Sequence, residues 1–98
     1  MLRLSAVLAA LAVLMLSGCS KPLDQTECAS LLDRYTELLV RSDREGTTAG
    51  DLLKLQEAAR ARARRDPDFQ DCSARVSRRE FECAMAAENV DRLEQCML

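Results

Sequence analysis

Five cysteines stand at positions 19, 28, 72, 83 and 96 of a 98-residue chain that contains no histidine and no tryptophan. In a chain this short, what the sulfurs do largely decides what can fold. A small core rarely supplies more than about 3–5 kcal/mol of net stability, so covalent staples between distant segments rival the core itself. Disulfides persist in exported proteins and are rare in the cytosol. The first question is therefore whether the chain leaves the cytosol.

The amino terminus bears on this directly. Met1-Leu2-Arg3 is a short basic start, Leu4 to Leu16 is an apolar run interrupted only by Ser5, and Ser17-Gly18-Cys19 follows. The run is too short to span a hydrocarbon core, which takes about 20 helical residues. It is also apolar on every face, unlike an amphipathic core helix. A basic start, an apolar run and a small-residue end form the pattern of a secretory signal. Leu16-Ser17-Gly18-Cys19 resembles the lipobox of bacterial lipoproteins. That resemblance implies cleavage before Cys19, a thioether-linked diacylglycerol on its sulfur, and an N-acyl group such as palmitate on the new amino terminus. It covers residues 1–19 and implies nothing about the domain behind them.

Ser20 refines the address. An Asp at that place implies retention at the inner membrane, and Ser is similar to the residues of lipoproteins sent to the outer membrane. Two or three acyl chains anchor firmly where one binds only marginally. The expected organisation is a cleaved signal over 1–18, the lipidated Cys19 with a short tether over 19–23, and a helical domain over 24–98. The tether reaches at most about 15–18 Å when extended, which keeps the body close to the headgroups.

With Cys19 lipidated, Cys28, Cys72, Cys83 and Cys96 remain, and an even count in a short exported chain points to two disulfides. Zinc is the rival for such a set. The intervals of 44, 11 and 13 residues hold no C-x-x-C knuckle, which argues against zinc and against a thiol oxidoreductase.

The hydrophobic period is helical throughout. Cys28, Leu31, Leu32, Tyr35, Leu38 and Leu39 step by three and four along a helix from about Asp24 to Ser42, with Asp24 and Glu27 as its capping pair. Thr48 to Asp51 suits the start of a second helix with Leu52, Leu55, Ala58 and Ala59 on its apolar face, stopping before Asp66-Pro67. Pro67 opens a short helical turn through Phe69 toward Cys72. Ser77-Arg78-Arg79-Glu80 reads as a capping box, flanked by Val76 and Phe81 as a hydrophobic staple, for a helix to Ala87. Asn89 caps a last helix carrying Val90, Leu93, Cys96 and Met97. The fold class is all-α: a small, disulfide-stapled bundle of three to four short helices.

Four cysteines allow three connectivities. Antiparallel packing of the first two helices brings Cys28 level with Cys72. Cys83 and Cys96 lie at similar heights on either side of the break at Glu88-Asn89. The layout favours Cys28–Cys72 with Cys83–Cys96 over the other two pairings.

The composition narrows function by exclusion. Loss of Arg3 with the leader leaves 13 basic against 16 acidic side chains, and aromatic residues make up 3% of the chain, so nucleic-acid binding is disfavoured. Without histidine there is no ordinary general base near neutral pH and no commonest metal ligand. Glu80 and Glu82 point apart on a helix, and Asp66 and Asp68 read as cap and turn residues. An enzyme is not expected, nor is a metal or a cofactor beyond the lipid on Cys19. Tyr35 reads as core, Met85 and Met97 as gap fillers.

Arg60, Arg62, Arg64, Arg65, Arg75, Arg78 and Arg79 form the densest charge cluster. It is either a patch for anionic headgroups or an acidic partner, or a solvated helix end. In the second reading, which is favoured, the helix dipole and the acidic last segment neutralise it. Ser77–Leu98 also resembles the C-terminal part of small four-Cys bacterial lipoproteins without assigned activity. Twin-cysteine helical hairpins differ in carrying two matched C-x₉-C pairs. The expected role is non-catalytic: an adaptor or structural module at the periplasmic face of the outer membrane, with membrane and an envelope protein as partners. The alternatives are a small-ligand or stress-response binding protein, or an exclusion or immunity-type lipoprotein. A ligand carrier needs an internal cavity of several hundred Å³, which so small a core is expected not to spare.

Overall fold

The computed structural model describes residues 21–98, and the expectations for the leader, Cys19 and Ser20 lie outside them. Six helices follow in order: α1 Gln25–Asp43, α2 Ala49–Ala63, α3 Pro67–Gln70, α4 Cys72–Arg75, α5 Arg78–Ala86 and α6 Val90–Cys96. There is no strand among the described residues. The all-α reading holds. The count exceeds three to four because the stretch after Pro67 folds as two single turns.

Each helix begins where its side-chain chemistry allows. Asp24 caps α1, accepting from the Glu27 amide at 2.7 Å, while Glu27 reaches back to accept from the Asp24 amide at 3.2 Å. Ser77 and Glu80 repeat this reciprocal arrangement at α5. Thr48, Asp66 and Asn89 cap α2, α3 and α6 through single side-chain acceptors. Such caps satisfy amide donors that a helix start would otherwise leave orphaned. Between α1 and α2 the chain reverses through Gly46 at φ 83°, a left-handed conformation that suits a residue without Cβ.

α1 is the spine, packing against α2, α4, α5 and α6. Its buried Leu31 and Leu38 meet Ala84, Ala87 and Leu93, with Val76, Phe81, Val90 and Met97 filling in around them. A second cluster joins Leu23, Cys28 and Cys72, covered in part by Phe69, Val76 and Phe81. Arg34 of α1 ties into the end of α5, donating through Nη2 to the Ala87 carbonyl at 2.8 Å.

Two segments pack differently from the sequence reading. Leu23 is 3% exposed, and Arg78 donates to the carbonyls of Lys21 and Pro22, so residues 21–23, assigned to the tether, pack on the helical body. The apolar drive of Leu23 and the two backbone acceptors draw the assigned tether onto the body. On α2 only Ala63 is buried, while Leu52, Leu55 and Ala59 are half-covered and Ala58 is exposed. That helix rests on α1 mainly through polar contacts. Arg60 clasps Asp33 with two bonds of 2.7 Å, and Gln56 donates to the Asp33 carbonyl.

Both expected disulfides are present. Cys28–Cys72 joins α1 to α4 with Cα atoms 6.2 Å apart, and Cys83–Cys96 joins α5 to α6 at 5.7 Å. The antiparallel layout produces the first, and the short break between α5 and α6 produces the second.

Candidate groove and basic cluster

An apolar groove of about 630 Å³ opens between α1, the α3–α4 turns and the C-terminal half of α6. Leu31, Leu32 and Tyr35 form its α1 wall. Phe69 and Val76 face them, and Leu93, Met97 and Leu98 close the third side. The Cys28–Cys72 disulfide is part of the lining. The groove exists because α3 and α4 are single turns: too short to pack along α1, they are held at one point by the disulfide, leaving the leucine stripe beyond it uncovered.

Polar groups stand only at its exposed rim. Arg75 pairs with Asp68 at 3.0 Å, with both side chains largely in solvent. The Tyr35 hydroxyl donates to Glu94 at 3.0 Å. Partial burial raises the Tyr35 pKa, and the Glu94 carboxylate accepting its proton raises it further. Val90 lies beside Leu38 and Glu94 beside Tyr35, so α6 runs antiparallel to α1. The Arg75–Asp68 pair therefore marks the Cys28 end of the groove and Glu94 the Tyr35 end.

The seven arginines do not act as one patch. Arg78 makes two bonds to Glu27, at 2.7 and 2.8 Å, and its guanidinium lies 6.0 Å from the Phe81 ring centroid. The Arg78 hydrogen bonds lower the Glu27 pKa to about 2, with the Asp24 amide adding to the effect. Arg60 is held by Asp33 and Arg75 by Asp68. Arg62, Arg64, Arg65 and Arg79 are exposed and make no ion pair among the described residues.

The internal neutralisation expected from the acidic last segment is not what the structure shows. The pairing acids are Glu27 and Asp33 on α1 and Asp68 on α3. α1 is the helix the arginine-bearing elements pack against, so its acids come first. From the last segment, Glu82 contributes only a longer-range attraction to Arg78. Glu80 is taken up by the α5 cap, where the bond from the Ser77 amide lowers its pKa. No group of three Cys, Asp or Glu residues suited to a metal occurs among the described residues, and no helix there is long and apolar enough to cross a membrane.

Sequence reasoning assigned Tyr35 and Leu32 to the core, and the structure leaves both half-buried on the groove wall. Asp68 and Glu94 were not singled out as site residues. The signal that could have found them is the wide leucine stripe of α1, broader than one short helix pair can cover.

Among the described residues, fold and groove together define a small disulfide-stapled helical bundle with an open apolar groove. Comparison with protein-family models, with curated proteins and with solved structures finds no match to this chain.

Proposed function

We propose that the mature protein is an envelope lipoprotein, held by acyl chains on Cys19 at the periplasmic face of the outer membrane, that works by binding and not by catalysis. The address rests on the leader and on Leu16-Ser17-Gly18-Cys19. The observation that carries the binding role is the apolar groove of about 630 Å³. This volume lies within the range of about 300–1,000 Å³ common to small-molecule sites. Among the roles expected from the sequence, an adaptor, a small-ligand carrier and an exclusion or immunity-type lipoprotein, the groove favours the carrier. Its rim offers an exposed ion pair and a tyrosine–carboxylate hydrogen bond, chemistry suited to recognising a head group.

The anchor is tested by fractionating cells that express the wild type or Cys19→Ser. Wild-type protein should sediment with membranes and yield an acylated N-terminal peptide by mass spectrometry, while the variant keeps its leader. A wild-type protein with an intact leader and a bare Cys19 thiol would overturn the reading.

A further inference from the structure

We infer that the groove binds a single-chain zwitterionic amphiphile, its phosphate on Arg75, its ammonium on Asp68 and its alkyl tail along Leu31, Leu32 and Leu93. The inference deepens the binding reading above and does not require Cys19 to be lipidated.

Three observations lead to this ligand. First, the lining is apolar and the polar groups sit at the rim, which divides the site into a tail region and a head region. Second, the head region is an ion pair of two exposed partners, 3.0 Å apart. A purely anionic head must displace Asp68 from Arg75 and then remain beside it. A purely cationic head faces Arg75 in the same way. A head carrying both charges pairs with both residues at once. Exposed pairs of this kind are weak, so exchanging partners costs little. Third, the far end carries Glu94, whose charge disfavours the phosphate there and leaves Arg75 as the guanidinium on the groove to receive it. Cys28 to Tyr35 spans about 10 Å of α1, room for a tail of about eight to ten carbons before it leaves the groove.

Tyr35 supplies the readout. It is the only tyrosine in a chain without tryptophan, and it lines the groove. The purified mature protein, reconstituted in phosphatidylglycerol vesicles, whose head carries no ammonium, is titrated with lysophosphatidylethanolamines from hexyl to dodecyl tails while Tyr35 emission is followed. Fatty acids and alkyl trimethylammonium salts of the same tails form the comparison arms. The zwitterions should bind tightest. Each added methylene should tighten binding about fourfold until the groove is filled, after which affinity levels off. Arg75→Gln and Asp68→Asn should each loosen binding about two- to fivefold. Leu32→Asp should abolish it with the circular dichroism spectrum unchanged.

Equal affinity for all three heads would overturn the proposal, as would affinity that rises with tail length without levelling, which is simple partition into the vesicle. So would a wild-type response in Arg75→Gln, or photo-crosslinking from position 32 that captures a protein in place of lipid. A chain that fails to sediment with vesicles sinks the anchor alone, and the same titration in vesicle-free buffer then decides the groove.

Discussion

The two disulfides sit in opposite surroundings. Cys28–Cys72 is buried at the floor of the groove, its cysteines 1% and 6% exposed and packed with Leu23 and Phe69. Cys83–Cys96 lies at the surface, with Cys83 open to solvent. The first is at once a cross-link and a piece of core, and it holds the α3–α4 turns that have almost no helix of their own to pack. The second only fastens α5 to α6, two helices that already share Ala84, Ala87 and Leu93. A buried staple replaces a core, whereas a surface staple reinforces one.

Removing the buried staple breaks that contrast most severely. Its sulfurs close a separation of 44 residues. On chain-entropy grounds, a loop of that size contributes about 4 kcal/mol. Cys28→Ala with Cys72→Ala should therefore lower Tm by about 15–30 °C in a thermal melt followed by circular dichroism. Full reduction with dithiothreitol should lower it further.

Cys83→Ala with Cys96→Ala should cost less, about 3 kcal/mol, because the loop is short. It should also leave Tyr35 emission nearly native, since neither cysteine lines the groove. Exposure predicts an order as well. Under limiting reductant, alkylation and mass spectrometry should find Cys83 and Cys96 labelled before Cys28 and Cys72. The reverse order would remove the distinction between a buried and an exposed staple.

Substitutions in the packed and unpacked helices sharpen the comparison. Leu93→Ala, at 4% exposure, should cost about 2–3 kcal/mol, near the low end for a buried leucine because the adjoining groove lets neighbours relax. Leu53→Ala on α2, at 56% exposure, should change stability by less than about 0.5 kcal/mol. Urea titration separates the two.

The smallest effect is electrostatic. Because Arg78 and the Asp24 amide lower the Glu27 pKa from 4.5 to about 2, its contribution is complete above pH 4.5. It is lost as pH falls through about 2. Glu27→Gln should flatten the dependence of Tm on pH within that window and leave the slope above it unchanged.

Much of this architecture is legible in the sequence because short-range chemistry specifies it. Asp24 with Glu27, and Ser77 with Glu80, announce their helices through reciprocal capping, and the breaks at Asp66-Pro67 and Glu88-Asn89 set the heights that pair the cysteines. The sequence reads less clearly where one local pattern serves two ends. The leucine stripe of α1 looks the same whether covered or open, so the period alone hides the groove that Leu32 and Tyr35 line. Leu23 reads as tether because a single leucine beside a proline has no period. The partners of Arg60 and Arg78 were missed for a related reason: Asp33 and Glu27 are 27 and 51 residues away in the chain, and only the packed spine brings them near.

Arg78 grips the chain where it joins the body, taking the carbonyls of Lys21 and Pro22 while bound to Glu27. If Cys19 is the anchor, as proposed, the gripped Lys21 lies two positions from the lipid in the sequence. On the proposal that Cys19 carries the lipid, such a mooring would act as a stem and not a leash, biasing which side of the domain faces the bilayer. Neutralising Arg78 would then change the bearing of the whole domain while leaving every helix intact.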